Sequence, residues 1–382
     1  MQPQADITVL ERGIRPMAKL GITGGGRCNL TNSFRNIADL RTAYPRGAQL
    51  MKRLFRQFGP EETCQWWERE GVALTTQEDQ CVFPRSQDAM QVVNTLLHAM
   101  QQTGVRLITS AKVSAIRPRG EDYDVVYNER TDSFGRVVVA TGGSPRAAGL
   151  GFLPQMQVVQ PVPSLFALNI DDRPLQALTG TVVPEAVVGI AGTKFKAQGD
   201  LLICHFGLSG PATLRLTSYA ARHLAEHDYM VTLCINWMQG RNEEETRATL
   251  QGYADSRKLV GNIYPQHLTA RHWQTLLTRA GIAASRRWDA LTTKEMNRLT
   301  ATLTSDTYPT QGRRTEKGEF VTCGGIALSE IDANTLECKN FPRLYLAGEV
   351  LDVDAITGGF NLQAAWSTGY AVAKSIAEVT FF

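Results

Sequence analysis

The sequence GEVLDVDAITGGFNLQ, residues 348–363, follows an apolar run and leads into a helical pattern over residues 361–378. An apolar run that ends in glycine is typical of a buried strand in an α/β sheet. Gly358 and Gly359 open the helix, so its unpaired N–H groups and its positive end would face a ligand above the sheet. The alternative is an ordinary capped helix with Asn361 as its N-cap. The stretch predicts a strand, a glycine turn and a helix of an α/β domain.

Two further glycine turns stand earlier in the chain. Gly24, Gly25 and Gly26 precede Arg27, and consecutive glycines let a ligand approach the backbone, whose N–H groups can form an anion-binding nest. The alternative there is a flexible surface turn. The sequence ATGG, residues 140–143, ends another apolar run. Ligands of open α/β sheets bind outside the carboxyl ends of strands, although a tight turn between strand and helix is the alternative.

The order of apolar runs and helical patterns divides the chain into three parts. Residues 1–158 and 327–382 alternate strands with helices, which predicts an α/β domain with a mainly parallel sheet. Residues 159–240 and 305–326 contain short β-branched segments interrupted by glycine and proline, which is typical of a small β-barrel or sandwich. Residues 241–304 are helical and polar. The sequence therefore predicts a discontinuous α/β domain with a β domain and a helical domain inserted into it.

Composition excludes several classes of protein. Of the 382 residues, 43% are hydrophobic and 20% are charged, and the net charge is +3. These values exclude a disordered chain and give no bulk attraction for nucleic acid. No stretch approaches the ~18 apolar residues of a membrane span, and Met1–Asp6 show no signal sequence, which predicts a cytoplasmic protein. The seven cysteines form no C-x-x-C pair and are expected to be reduced.

The motifs, taken together and in this order, resemble one family. Glu11, at the end of the first predicted strand, stands where dinucleotide-binding folds place the acid that binds a ribose, although a lone acid there is usually only solvated. It is followed by GGGRCNLTN (24–32), ATGG (140–143), PVPSLFAL (161–168), HFGLSGPA (205–212), VTCGGI (321–326) and LAGEVLDVDAITGGFNLQAAWSTGYA (346–371). Over nearly its whole length the chain resembles the BaiN/RdsA-type NAD(P)/FAD-dependent oxidoreductases, also called YhiN-like or aminoacetone-oxidase-like flavoproteins.

The resemblance implies a fold and an activity. The fold is a Rossmann-like FAD-binding domain split between the two chain ends, with an inserted β-barrel and a helical insert. The activity is that of an FAD-dependent oxidoreductase, which transfers hydride between a small organic substrate and the flavin. The substrate would enter between the FAD domain and the barrel. The middle of the chain has no G-x-G-x-x-G pattern of a separate NAD(P) domain, so any NAD(P)H would bind only transiently as an electron donor.

The resemblance also implies the cofactor contacts. The positive end of the last helix would stabilise the anionic reduced flavin. A Gly359→Val change is therefore expected to weaken FAD binding without unfolding the protein. The FAD-binding residues that it implies are Glu11, Gly24, Gly25, Gly26, Arg27, Cys28, Asn29, Val113, Thr141, Gly142, Gly348, Glu349, Asp352, Gly358, Gly359, Phe360, Asn361 and Leu362.

Three histidines are candidates for other roles. His205 lies in a glycine-rich loop of the insert and is the candidate catalytic residue, because a polar ring there could face the flavin. The alternative is a hydrogen-bonded structural histidine. His223 and His227 have helical i, i+4 spacing and could ligate a metal, but no third ligand is expected nearby, so no metal site is predicted.

The beginning of the chain departs from the family pattern. Such proteins normally start with a strand and a G-x-G-x-x-G loop that holds the FAD pyrophosphate, and no such pattern precedes Glu11. We therefore expect a truncated form or a misplaced start, unpaired edges on the neighbouring strands, and weak FAD binding by the 382-residue chain. The rival functions are an FAD-free remnant or binding module without catalytic activity, and a flavin enzyme acting on tRNA. The charge balance favours a small-molecule substrate, with no nucleic acid and no membrane as partner, and leaves the oligomeric state open.

Overall fold

The computed structural model describes residues 5–254, 256–314 and 321–379. The first four residues, which the prediction on targeting includes, lie outside the described part. The strands are β1 (Thr8–Leu10), β2 (Thr31–Asn32), β3 (Leu74–Thr76), β4 (Cys81–Pro84), β5 (Arg106–Ile108), β6 (Val113–Arg119), β7 (Asp122–Tyr127), β8 (Arg130–Phe134), β9 (Val137–Val139), β10 (Val158–Ser164), β11 (Leu168–Asn169), β12 (Val182–Ile190), β13 (Lys196–Cys204), β14 (Gly207–Ser209), β15 (Thr232–Asn236), β16 (Asp306–Pro309), β17 (Val321–Ile326), β18 (Glu337–Cys338) and β19 (Phe341–Leu346).

The helices connect these strands and cover the sheets. They are α1 (Ala18–Gly26), α2 (Leu40–Ala43), α3 (Ala48–Leu54), α4 (Pro60–Arg69), α5 (Ala89–Gln102), α6 (Arg173–Gln176), α7 (Gly210–Tyr219), α8 (Ala221–Glu226), α9 (Glu243–Ala254), α10 (Ala270–Arg279), α11 (Thr293–Thr304) and α12 (Phe360–Val379). Within the described ranges, none of these helices combines the length and the apolar character that crossing a membrane requires. The chain divides into two compact units, Met1–Pro163 with Lys317–Phe382, and Ser164–Glu316.

The first unit contains two parallel strand pairs. Strand β1 pairs with β5, with Thr8 opposite Arg106, and β9 pairs with β19, with Val137 opposite Leu344. Parallel neighbours need a crossover connection, which the chain supplies through α1 to α5 for the first pair. The last strand, β19, leads directly into α12. The two ends of the chain thus form one α/β unit.

Strands β1 and β9 keep apolar side chains at the surface. Val9 on β1 and Val138 on β9 are 37% and 45% exposed, and Ile7, just before β1, is 47% exposed. Among the described strands, β1 pairs only with β5, and β9 pairs only with β19. Unpaired apolar strand edges promote association with other chains.

Residues 113–134 form an antiparallel meander and do not extend the parallel sheet. Strand β6 pairs with β7, and β7 pairs with β8. Gly120 turns the chain between the first two strands with a φ of 62°, and Asn128 and Glu129 form the next turn with φ of 46° and 64°. Two successive left-handed residues are typical of the tight turn of an antiparallel hairpin. The prediction of a mainly parallel sheet is therefore wrong for these strands, because their turns leave no room for crossover helices.

The second unit is built around a closed antiparallel sheet. The strand order is β11-β14-β13-β12-β15-β16. The chain after β16 returns to β11, where the Asn169 amide donates to the Gly312 carbonyl at 3.0 Å and the Arg314 amide donates to the Ala167 carbonyl at 2.8 Å. The first and last strands are thereby joined, which closes the sheet into a barrel. This barrel occupies the region for which the sequence predicts a barrel or sandwich.

The helices α9, α10 and α11 share a core with the barrel. Trp237 after β15, Trp273 on α10 and Leu299 on α11 are all fully buried in one apolar cluster. Burial of each such side chain stabilises the fold by roughly 1.5–3 kcal/mol. The helical segment 241–304 therefore packs together with the barrel in one compact unit, and that unit runs from Ser164 to Glu316 where the sequence analysis sets boundaries at 159 and 326.

His272 on α10 is buried in this core without a hydrogen-bond partner. Its side chain is 1% exposed, neither ring nitrogen has a partner, and its ring centroid lies 4.6 Å from that of Trp237. Burial, with a smaller contribution from the charge of His267, lowers the pKa of His272 from 6.5 to about 4. The ring is therefore neutral in the folded protein at neutral pH.

We expect this histidine to make the protein less stable in mild acid. The unfolded chain binds a proton at the ordinary histidine pKa, whereas the folded protein does not until the pH reaches about 4. Stability is therefore retained above the unfolded pKa, and about 2 kcal/mol of it is lost between about pH 7 and about pH 5. The His272→Phe variant should lack this loss, as measured by urea unfolding at both pH values. Equal losses in wild type and variant would contradict the assignment.

Candidate functional site

The glycine turn at the end of α1 has an open outer side. Gly24, Gly25 and Gly26 adopt left-handed backbone conformations, with φ of 58°, 68° and 83°. A Cβ added at Gly25 or Gly26 would meet no atom within 4 Å. Residues other than glycine rarely adopt this conformation. The turn therefore leaves the backbone of Gly25 and Gly26 accessible to a ligand.

Arg27 is held beside this turn. Its Nε donates to the Gly24 carbonyl at 3.2 Å, and its guanidinium lies 4.5 Å from the centroid of the Phe83 ring. A cation over an aromatic face is attracted to the ring, so these contacts orient an exposed side chain. The arrangement keeps a positive charge next to the bare backbone of the turn, which suits an anionic ligand.

The segment that follows the turn is hydrogen-bonded to the residues that begin α12. In the amide orientation that satisfies both groups, the Asn29 oxygen accepts from the Gly359 amide at 3.2 Å. The Asn32 Nδ2 donates to the Gly358 carbonyl at 3.2 Å. The structure thus brings together two motifs that are widely separated in sequence, the glycine turn near residue 25 and the glycine pair that precedes the last helix.

Gln363 joins these elements from the interior. It is fully buried and accepts from Thr31 Oγ1 at 2.5 Å. Its Nε2 donates to Thr63 Oγ1 at 2.9 Å and to Ser367 Oγ at 3.0 Å. A buried polar network whose groups are all bonded is rigid and specific. The sequence analysis assigns no role to Gln363, yet it links β2, α4 and α12 beneath the site.

Helix α12 begins at Phe360, before Asn361. The Asn361 Oδ1 accepts from the Ala355 amide at 2.9 Å, and its Nδ2 donates to the Ala355 carbonyl at 3.1 Å. Its side chain therefore holds the preceding loop, and the alternative of Asn361 as N-cap is wrong. The backbone amides of Asn361 and Leu362 have no acceptor within the described ranges, as is normal for a first helical turn. Two donors at the positive end of α12 are thus left for a ligand.

Glu349 belongs to the turn that follows β19, and its carboxylate lies close to the glycine turn that follows β9. Its Oε1 accepts from the Thr322 amide at 2.7 Å, and a Cβ placed on Gly143 would lie only 2.7 Å from the same oxygen. A Cβ on Gly142, which has a φ of 72°, would be 3.7 Å from the other oxygen of Glu349. The parallel pairing of β9 with β19 therefore places the predicted ATGG and Gly348 motifs side by side.

The turn at Gly348 and the glycine turn 24–26 are both attached to the first half of α12. The Gly348 amide donates to Thr368 Oγ1 at 2.9 Å, and Gly359 precedes the helix. At the rise of an α-helix these two positions are about 14 Å apart along the axis. One helix therefore supports the turn at Gly348 and, through Asn29, the glycine turn 24–26.

A buried ion pair holds the loop between β19 and α12. The side chains of Arg46 and Asp354 are 12% and 0% exposed. Arg46 Nε donates to Asp354 Oδ1 at 2.6 Å, and a second guanidinium nitrogen donates to Oδ2. Two parallel bonds of this kind are strong and directional. The sequence analysis assigns neither residue, because the two are 308 positions apart and no local pattern relates them.

The remaining predicted cofactor residues have varied surroundings. Glu11 is half-buried, and its carboxylate accepts from the Gly13 amide at 2.5 Å, so it caps the turn after β1. Val113, at the start of β6, and Asp352 are half-buried, while Thr141 is exposed. None of these observations tests contact with a cofactor, and the roles of these residues stay predictions.

His205 lies in the second unit, at the turn between β13 and β14. Its ring is exposed, and its centroid is 5.1 Å from that of Phe206. Among the described residues no hydrogen bond to the ring is present, so the alternative of a hydrogen-bonded structural histidine gains no support. Its catalytic role stays a prediction.

The Cys28 thiol next to the glycine turn is expected to be unreactive. The residue is fully buried, and burial raises the pKa of its thiol to about 11, while a hydrogen bond with Thr23 partly opposes the shift. Because the thiolate is the reactive species, its fraction below the pKa falls about 100-fold. We expect iodoacetamide to label Cys28 only after unfolding, as measured by peptide mass spectrometry. Rapid labelling in the native protein would contradict this expectation.

Three curated relatives match nearly the whole chain. The 3-dehydro-bile acid delta(4,6)-reductase of Clostridium scindens is 26% identical, and the match covers 98% of this chain and 93% of the relative. The ribosomal RNA dihydrouridine synthases of Escherichia coli and Haemophilus influenzae are each 26% identical, with 97% of this chain and 92% of each relative covered.

The family assignment rests on a match of the same extent. The family described as HI0933-like protein Rossmann domain matches residues 1–375. Together with the relatives, this match confirms the resemblance inferred from the motifs and the Rossmann-like, FAD-binding α/β fold predicted from it. The chain belongs to the HI0933-like family.

Proposed function

We propose that this protein is an FAD-dependent oxidoreductase that reduces a carbon–carbon double bond conjugated with a carbonyl group. The observation that carries the proposal is that three candidate ligand-binding elements come together in the first unit of this chain of the HI0933-like family. The bare backbone at 24–26 and the two unpaired amides at the start of α12 are held together through Asn29 and Gly359. Glu349 lies in the turn after β19, whose Gly348 amide donates to Thr368 of the same helix, at the ends of the two parallel strands.

The activities named for the relatives share one type of reaction. The Clostridium scindens relative is named as a reductase of a 3-dehydro-bile acid with delta(4,6) unsaturation, which describes a ketone conjugated with carbon–carbon double bonds. Dihydrouridine, in the name of the other relatives, is uridine with its ring double bond reduced, and that bond is conjugated with a ring carbonyl. In both cases a hydride adds to the carbon far from the carbonyl, and a proton completes the reduction.

Two observations support a fit between these residues and a flavin nucleotide. The space against Gly25 and Gly26 is open to a ligand, and the unpaired amides of Asn361 and Leu362 stand at a positive helix end that favours negative charge. When bound, FAD supplies the hydride-transferring ring. Glu11 would bind the adenosine ribose.

The chain's own groups orient the cofactor and set its charge environment. Glu349 uses Oε1 to accept from the Thr322 amide, which leaves Oε2 beside Gly142 to accept a hydrogen bond from a ligand hydroxyl. Arg27 adds a cation beside the glycine turn. NAD(P)H is the proposed electron donor and would bind transiently, and His205 stays the candidate catalytic residue.

A small molecule is the proposed substrate, because a net charge of +3 gives little bulk attraction for RNA. A uridine in RNA is the second candidate, and the names of two relatives favour it. The two candidates share the conjugated double bond and differ in what surrounds it.

Flavin retention and anaerobic reoxidation test the proposal. The purified chain is incubated with FAD, freed of excess cofactor, reduced with NADPH and mixed with cyclohexenone, cyclohexene or a uridine-containing ribosomal RNA fragment. The open backbone at Gly25 and Gly26 leads us to expect retained flavin, in place of the weak FAD binding expected from the sequence. We also expect reoxidation by the conjugated ketone but not by the isolated alkene. Reoxidation by the RNA alone would support the second candidate. Absence of retained flavin would favour a binding module without FAD.

A matched pair of variants tests whether the glycine turn is the cofactor site. Gly26 and Gly71 both have a φ of 83°, and a Cβ at either position would meet no atom within 4 Å. Valine at either position therefore strains the backbone equally. Gly26→Val is expected to lose FAD, whereas Gly71→Val, at the end of α4, should retain it. Equal retention by both variants would show that the turn at 24–26 does not contact the cofactor.

A further inference from the structure

We propose that His223, Glu226 and His227 form a binding site for a divalent transition-metal ion on the surface of the second unit. The ligating atoms of these three side chains all lie within 4.8 Å of one another. The sequence analysis names the two histidines but expects no third ligand nearby, and the structure supplies Glu226 in that role. The site shares no residue with the proposed flavin site.

The three side chains share one face at the end of α8. Residues at i, i+3 and i+4 are neighbours on a helix surface, which is the spacing of 223, 226 and 227. Helix α8 ends at Glu226, and His227 is its C-cap residue. The carboxyl end of a helix carries partial negative charge, which favours a cation there.

His227 makes the hydrogen bond that is typical of a metal-binding histidine. Its Nδ1 lies 2.8 Å from the carbonyl oxygen of His223. A carbonyl only accepts, so Nδ1 carries the proton and the lone pair of the neutral ring is on Nε2. Ligating histidines commonly donate their other ring N–H to a carbonyl, which fixes the orientation of the ring.

The ring of His223 is also held in place. Its centroid lies 5.5 Å from that of Phe195 and 4.2 Å from that of His227, and the residue is half-buried. Ligands bound to a tetrahedral ion at about 2.0–2.2 Å lie about 3.4 Å apart, so the cluster must contract on binding. The exposed side chain of Glu226 is free to make most of that movement.

The ligand set favours transition metals over hard cations. Imidazole nitrogen suits Zn²⁺, Cu²⁺ and Ni²⁺, whereas Mg²⁺ and Ca²⁺ prefer oxygen ligands. Two imidazoles and one carboxylate leave a coordination position for water on Zn²⁺. An exposed site with three protein ligands is therefore expected to bind Zn²⁺ reversibly.

Calorimetric titration of the full chain with ZnCl₂ tests this proposal. The protein is prepared without a histidine tag and is treated with a chelator that is then removed. We expect saturable binding of Zn²⁺ and no saturable binding of Mg²⁺. His227→Gln and Glu226→Gln are each expected to weaken Zn²⁺ binding by about tenfold or more, while the control His98→Gln, on α5, binds like the wild type.

A second measurement separates ligand loss from misfolding and from binding to cysteines. The three side chains are exposed or half-buried, so the variants should fold, which circular dichroism checks. The ring proton signals of His223 and His227 should shift on addition of Zn²⁺ in nuclear magnetic resonance spectra. Unshifted signals, or equal Zn²⁺ affinity of wild type and the His223→Gln/His227→Gln double variant, would overturn the proposal.

Discussion

Asp354→Asn is expected to lower the free energy of unfolding by about 3–5 kcal/mol. The Asp354 carboxylate is fully buried, the Arg46 side chain is 12% exposed, and Nε lies 2.6 Å from Oδ1. Asparagine keeps the size of the side chain but removes its charge. The guanidinium then stays in the interior without the carboxylate that accepts from Nε and from a second guanidinium nitrogen. Removing one partner of a buried pair destabilises strongly, because the desolvation of the remaining charge is no longer offset.

An exposed pair provides the control for this prediction. Glu121 and Arg343 lie 2.9 Å apart, but their side chains are 82% and 40% exposed, and exposed pairs contribute only about 0–1 kcal/mol. Glu121→Gln should therefore change urea unfolding little. The Arg46→Met/Asp354→Leu double variant removes both charges and should recover much of the lost stability. Similar losses in Asp354→Asn and Glu121→Gln would show that the buried pair is not needed.

The buried pair also bears on the proposed cofactor site. Arg46 and Asp354 form a backbone bridge in addition to their ion pair, so residue 46 is fixed to the loop that leads into α12. Loosening this loop should disturb the unpaired amides at the start of the helix. Folded Asp354→Asn protein is therefore expected to retain less flavin than the wild type.

Features of the site that depend only on neighbouring residues can be predicted from the sequence. The apolar run before Gly348 is observed as β19, and the helical pattern over 361–378 is observed as α12. The triplet 24–26 forms a left-handed turn, because glycine is the residue that adopts this conformation without strain. Local sequence is sufficient for such elements.

Contacts between distant segments could not be predicted in this way. Thr31 and Gln363 are 332 positions apart, and the barrel is closed by hydrogen bonds between Asn169 and a segment near Gly312. Periodicity relates neighbours on one element and carries no information about such pairs. Glu226 is different, because its spacing from His223 is already that of a shared helix face, and the sequence could have revealed it.

Gly359→Ala is expected to lower the free energy of unfolding by about 2–5 kcal/mol. Gly359 has a φ of 87°, and an added Cβ would lie 2.3 Å from the Thr31 carbonyl oxygen and 2.5 Å from its carbon. The left-handed conformation costs an ordinary residue about 1–2 kcal/mol, and forcing the two backbones apart costs about 1–3 kcal/mol more. This geometry revises the sequence-based expectation that Gly359→Val weakens FAD binding without unfolding the protein, since the new side chain meets backbone that cannot rotate away.

Gly71→Ala isolates the contribution of the contact with Thr31. Gly71 has a φ of 83°, close to that of Gly359, but a Cβ there would meet no atom within 4 Å. It should therefore lose only the roughly 1–2 kcal/mol of backbone strain, as measured by urea unfolding of both variants without added flavin. A larger loss in Gly359→Ala shows that this glycine exists to let α12 approach the Thr31 backbone. Equal losses of unfolding free energy would show that α12 can move away from Thr31 at no cost. Glycine at position 359 would then be required for contact with a ligand.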